Sequence, residues 1–133
     1  MATIFTKIIN REIPGYIVAE NEHALAFLDI NPLNEGHTLV VPKKEVDKLF
    51  DLDKEAYQSL QSFAYDVAQA IEKAVPCLRV GVAVIGLEVP HAHIHLIPLQ
   101  GMHDINFGRP KLQLSQEEFV QIGERISNAF EVS

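Results

Sequence analysis

The apolar positions change period along the chain, and the changes mark its elements. "GYIVAENEHALAFLDI" reads as two short strands with Asn21-Glu22 as the turn, and "GHTLVVPKK" as a third, apolar from Leu39 to Val41 and halted by Pro42. The intervening "NPLNEG" is rich in turn formers. From Asp53 to Val75 the spacing lengthens. Ala56, Leu60, Phe63, Val67, Ile71 and Ala74 recur every three or four residues, which predicts a long helix with one apolar face. Asp51 and Asp53 are its N-cap candidates and Pro76 its stop. Arg79 to Ile85 is a β-rich run, Gly86 a break, and Val89 to Pro98 a further strand. Ser115 and Glu118 form a capping box ahead of Phe119, Ile122, Ile126 and Phe130, so a second helix is expected at the end. Hairpin-length loops and the absence of repeats or linkers predict one α+β domain over residues 1–133, an antiparallel sheet with helices packed on it.

Composition narrows the function. At 133 residues and 47% hydrophobic the chain can bury a real core. No apolar run approaches the roughly 20 residues that span a bilayer, so no membrane partner is expected. "MATIFTKIINREIP" lacks the layout of a signal peptide, and the single Cys77 suits a reducing compartment, so a cytoplasmic location is expected. The formal net charge of −7, with no basic run longer than Lys43-Lys44, repels polyanions and argues against nucleic-acid binding. A locally positive pocket for a small anion remains compatible with that charge.

Chemistry concentrates in "EVPHAHIHLIPLQG", residues 88–101, where three of the six histidines stand at alternate positions. On a strand, His91, His93 and His95 share a face, while Ala92, Ile94 and Leu96 point into a core. Three readings fit. The first is a polar face of satisfied imidazoles. The second is a metal site built on His-x-His with His37 as a further ligand, although Cys77 lies outside any Cys-x-x-Cys pair. The third is nucleophilic catalysis. An imidazole with a pKa near about 6.5 is mostly neutral at pH 7 and can attack phosphorus, splitting one hard step into two. A central actor flanked by two supporters would make His93 the nucleophile.

"HAHIHLIP" resembles the signature of the histidine triad (HIT) family, closest to its Hint-like branch. "TIFTKIINREIP" is similar to that family's opening helix, and "LAFLDINPLNEGHTLVVPKK" to its nucleotide-binding hairpin. The resemblance implies a HIT fold, with about five antiparallel strands, a long central helix and short terminal helices. It implies a hydrolase that carries a transient nucleotidyl group on His93, with His91 assisting proton transfer or orientation and His95 and His37 completing the set. It further implies that Asp29 holds ribose hydroxyls, that Ile4, Phe5, Ile8, Phe27, Ile30 and Leu39 form the slot for the base, and that Gly86, Glu88 and Val89 line the phosphate side.

The implied ligand is a purine nucleotide, a nucleoside monophosphate or its conjugate. A nucleoside phosphoramidate is the first substrate; a dinucleoside polyphosphate, or binding without turnover, are the alternatives. No cofactor is needed, and a homodimer whose sheets join is expected. Departures concern the leaving group. Val80 and Leu87 stand where relatives carry Asn and Gln, and Glu88 where Ser is frequent. Thr3 and Thr6 replace the Cys-x-x-Cys that holds structural zinc in some relatives, so no metal is expected. "MHDINFGRPKLQL" reads as loop, with His103 facing solvent.

Overall fold

The computed structural model describes residues 2–133. A short helix α1 (Ile4–Ile9) precedes strands β1 (Ile17–Glu20), β2 (Ala24–Leu28) and β3 (Thr38–Pro42). The long helix α2 (Lys54–Ala74), strands β4 (Arg79–Ala83) and β5 (Ile94–Leu99), and helix α3 (Gln116–Ala129) follow. The five strands form one antiparallel sheet in the order β1-β2-β3-β5-β4. Asp53 caps α2, accepting from the amide of Ala56 at 2.8 Å, whereas Asp51 sits in a single 3-10 turn ahead of it. Ser115 and Glu118 form the expected reciprocal capping box on α3.

Strand alternation divides the sheet into two buried faces. Ala24, Ala26, Leu28, Val40, Ile94 and Leu96 pack under α2 and α3 in the main core, against Leu60, Phe63, Val67, Ile71, Ile122 and Ile126. Ala56, placed on the apolar face of the helix by its spacing, is exposed, because it borders an open hollow beside Ala24 and Pro42 instead of packing into the core. Leu25, Phe27, Leu39 and Val41 point the other way, onto Phe5 and Ile8 of α1. Because α1 is only 6 residues long, it covers part of this second face and leaves a hollow beside it.

One strand is shorter than its pattern suggests. β5 begins at Ile94, not Val89, so His91 and His93 lie in the segment leading into it. The backbone donors there are spent elsewhere: His91 N–H bonds Val89 O at 2.8 Å and Ala92 N–H bonds Val46 O at 2.7 Å. Pro90 has no N–H to offer a ladder. β4 likewise ends at Ala83, two residues before Ile85. Among the described residues, no helix is long and apolar enough to cross a membrane.

Candidate active site

The hollow beside α1 is a cavity of about 420 Å³, and the histidines converge on it. His95 stands opposite Leu39 in the β3–β5 register and therefore faces the α1 side. His37 is brought inside by Gly36, whose φ of 89° turns the chain immediately before β3. A Cβ on Gly36 would also lie 2.9 Å from a methyl of Val75. His93 reaches the same hollow from the loop, its ring 4.9 Å from that of His95 and 5.0 Å from Phe5, both edge-on.

The hydrogen-bond partners fix which nitrogen of each ring carries the proton. The Leu33 amide donates to His37 Nδ1 at 3.0 Å, so a neutral His37 is protonated at Nε2. That Nε2–H donates to His95 Nδ1 at 3.0 Å, which leaves His95 its proton on Nε2. His93 Nδ1 lies 2.7 Å from the carbonyl of His91 and must donate to it, so the lone pair of His93 resides on Nε2. His91 Nε2 donates to Pro42 O at 2.8 Å, and its Nδ1 accepts from the Thr3 hydroxyl at 2.9 Å. Backbone carbonyls and one amide thus dictate the entire set of tautomers.

Burial keeps the flanking rings neutral. Desolvation drives His37 down to about 3, with the neighbouring His95 adding to the shift, and drives His95 down to about 4 with help from His93. Burial also lowers His91. Desolvation raises Asp29, and the Asn31 amide, donating to Oδ1 at 2.8 Å, opposes it.

Each residue singled out from the sequence can now be placed. His37, His93, His95, Asp29, Gly86, Glu88 and Val89 all border the cavity. Phe5, Ile8, Phe27 and Leu39 are buried and form its floor, while Ile4 and Ile30 are exposed at its rim. His91 stands apart. It is fully buried behind Phe5, and both its nitrogens are engaged. Val80 is half-buried on β4, away from the cavity, and His103 is exposed. Among the cavity residues that the sequence did not single out are Phe107 and Lys111. Phe107 places its ring 4.8 Å from that of His95, and Lys111 lines the wall beside it. Their only signal was an aromatic and a cation inside a turn-rich stretch without periodicity.

Asp29, His37 and His95 lie close enough together, within 4.8 Å, to suggest a cation. The tautomers disfavour one. Binding through His37 Nε2 would move its proton to Nδ1, directly against the Leu33 N–H at 3.0 Å. Thr3 and Thr6 offer hydroxyls that are already paired, Thr3 with His91 and Thr6 with Glu45 Oε1 at 2.5 Å. A second hollow, of about 340 Å³ between Lys43, Lys44 and the start of α2, contains no comparable cluster; its one imidazole, His23, is exposed.

A five-stranded α+β sheet carries a buried imidazole cluster beside a short capping helix, the architecture of a histidine-centred site. The HIT domain model matches residues 10–102, and the chain belongs to the HIT family. An uncharacterised HIT-like protein of Borreliella burgdorferi is 36% identical over 132 residues, covering 93% of this chain and 95% of that one. The adenosine 5′-monophosphoramidase hnt1 of Schizosaccharomyces pombe is 34% identical over 130 residues, covering 96% and 98%. Among solved structures, a Hit-like protein involved in cell-cycle regulation from Bartonella henselae superposes with a TM-score of 0.82 at 31% identity, over 96% of each chain.

Proposed function

We propose that this chain is a nucleotide-binding hydrolase that cleaves nucleoside 5′-phosphoramidates through a nucleotidyl group carried on His93. The observation that carries the reading is the hydrogen bond from His93 Nδ1 to the His91 carbonyl, which leaves Nε2 as a lone pair in a cavity lined by buried apolar side chains. Nε2 attacks the α-phosphorus, a P–N bond to the ring forms, and the bond to the leaving amine breaks with its electron pair on that nitrogen, which takes a proton from solvent and departs as the neutral amine. The ring becomes cationic, and its Nδ1–H bond to the carbonyl strengthens as the charge develops. Water then displaces the ring and yields a nucleoside monophosphate.

The supporting groups follow from their tautomers. His95 offers Nε2–H to a phosphoryl oxygen, and His37 holds His95 in that tautomer. His91, with both nitrogens occupied, acts by orienting the His93 loop. Asp29 accepts from the ribose hydroxyls, and the slot of Phe5, Ile8, Phe27 and Leu39 takes a purine, with little to tell adenine from guanine. The monophosphoramidase activity named for the fission-yeast relative supports this substrate class. β4 is an open sheet edge with Val82 exposed, and a second copy is expected to pair there, to be checked by the mass in solution.

Incubation with adenosine phosphoramidate, beside His93→Ala, tests the reading. Turnover lost in the variant, with a nucleotidyl adduct trapped on wild type by alkaline denaturation, since the P–N bond to imidazole is acid-labile, supports it. Binding without turnover, or cleavage of diadenosine polyphosphate alone, would replace it.

A further inference from the structure

The cavity lacks an obvious counterion for a phosphate. Asp29 and Glu88 on its wall are acids, and His37 and His95 are held neutral by burial. Among the described residues bordering it, Lys111 is the one side chain with a permanent positive charge. It lies beyond residue 102, where the match to the HIT domain ends.

The segment that carries Lys111 is fastened independently of the lysine. Leu112 N–H bonds Pro32 O at 2.8 Å, beside the turn that carries Asp29. Arg109 Nη2 donates to Leu33 O at 2.7 Å and to Asn34 Oδ1 at 3.1 Å, on the loop that ends at His37. The Asp104 carboxylate accepts from the amides of Gln100 and Gly101 at 2.6 and 2.9 Å, closing the turn that follows β5. Phe107 seals one side, its ring edge-on to His95 and 6.2 Å from His37. Lys111 Nζ donates to the carbonyls of Phe107 and Arg109 at 2.5 and 3.2 Å. An ammonium has three N–H groups, so one is left for a ligand. Its charge reaches the site as a minor influence, opposing the burial that raises the Asp29 carboxyl and adding slightly to the burial that lowers the His37 imidazole.

We infer that Lys111 is a phosphate-binding residue of this site, its ammonium countering the charge of the nucleotide's α-phosphate before and during attack by His93. The inference rests on the reading that the cavity takes a nucleotide. The strap from Met102 to Leu112 is then part of the binding site rather than a passive connection to α3, and Phe107 keeps water from the imidazole pair. In an acidic protein this one cation gives the anionic part of the ligand a fixed destination.

Titration calorimetry with adenosine 5′-monophosphate and with adenosine separates this role from a structural one, because the two ligands differ only in the phosphate. Lys111→Met should weaken monophosphate binding by about tenfold or more and leave adenosine binding unchanged, and Lys111→Arg should retain most of the affinity. kcat/KM on the phosphoramidate should fall in parallel with monophosphate affinity. In wild type, added salt should weaken the monophosphate and spare adenosine. This last comparison needs no variant. Equal losses for both ligands, or no loss for either, would overturn the role. Wild-type binding of neither ligand would remove the nucleotide reading itself, and this inference with it.

Discussion

His37 Nε2 lies 3.0 Å from His95 Nδ1, two buried imidazoles that share one proton between them. The arrangement is stable only while both rings are neutral, since a second proton on either would place donor against donor or a cation in an apolar wall. Both folded-state values, about 3 and about 4, lie below the ordinary 6.5, so the unfolded chain takes up these protons first. The stability from the pair is fully present above pH 6.5 and declines as pH falls below it, levelling off only below about 3. Each unit of difference costs about 1.4 kcal/mol, so the total is several kcal/mol. Urea midpoints measured from pH 7.5 to 4 should hold down to about 6.5 and fall below it, and His37→Gln should flatten part of the slope. A midpoint that holds constant over that range would contradict the pairing.

The anchoring of His91 predicts a second effect. Its Nδ1 accepts from the Thr3 hydroxyl, which also caps α1 by accepting from the Thr6 amide at 3.1 Å, while Glu45 holds Thr6. Thr3→Val removes the cap and leaves a buried acceptor short of its donor, at a cost of about 2–3 kcal/mol. Thr3→Ser should restore most of the loss. Because α1 carries Phe5 and Ile8, KM for the nucleotide should rise in the valine variant, and denaturation and steady-state kinetics together check both halves.

Asp29 should discriminate by sugar. Its Oδ1 is held by the Asn31 amide at 2.8 Å, which leaves Oδ2, 3.6 Å from His37 Nε2, to accept from a ribose hydroxyl. Asp29→Asn should raise KM about tenfold or more for the ribonucleotide substrate. It should cost far less for the 2′,3′-dideoxy analogue. Equal losses on both sugars would assign the carboxylate a different partner.

Glu88 should oppose the ligand's charge. It is exposed and borders the same cavity as Lys111, and its charge raises the Asp29 carboxyl as a minor contribution. Glu88→Gln should tighten monophosphate binding about two- to fivefold at low salt, and the gain should shrink as salt is added, as expected of a screened surface charge. An affinity that drops in the variant would make Glu88 a ligand contact instead.

Much of this was legible along the chain, for a local reason. Strand and helix periods are properties of the backbone, so the α2 face from Leu60 to Ile71 and the inward Ala92, Ile94 and Leu96 could be read from spacing alone. The start of β5 could not, because it depends on where the amides of His91 and Ala92 find acceptors, and one of those acceptors, Val46 O, is distant in sequence. The strap failed to register for the same reason. Phe107 has no periodic neighbours, and its meaning lies in a ring contact with His95 inside the cavity.

The amino-acid sequence by itself determined the α+β elements, the family and the row of three alternating histidines, because apolar alternation and a triple His-x-His spacing are written in adjacent residues, whereas His37 was singled out through the family resemblance. Tertiary structure alone decided the protonation of each ring, the retreat of His91 from the cavity and the arrival of Lys111 at its wall. Those depend on partners distant along the chain, 88 residues for Thr3 and His91 and 58 for His37 and His95, and a proton's position is set by whichever donor or acceptor the fold brings within 3.0 Å.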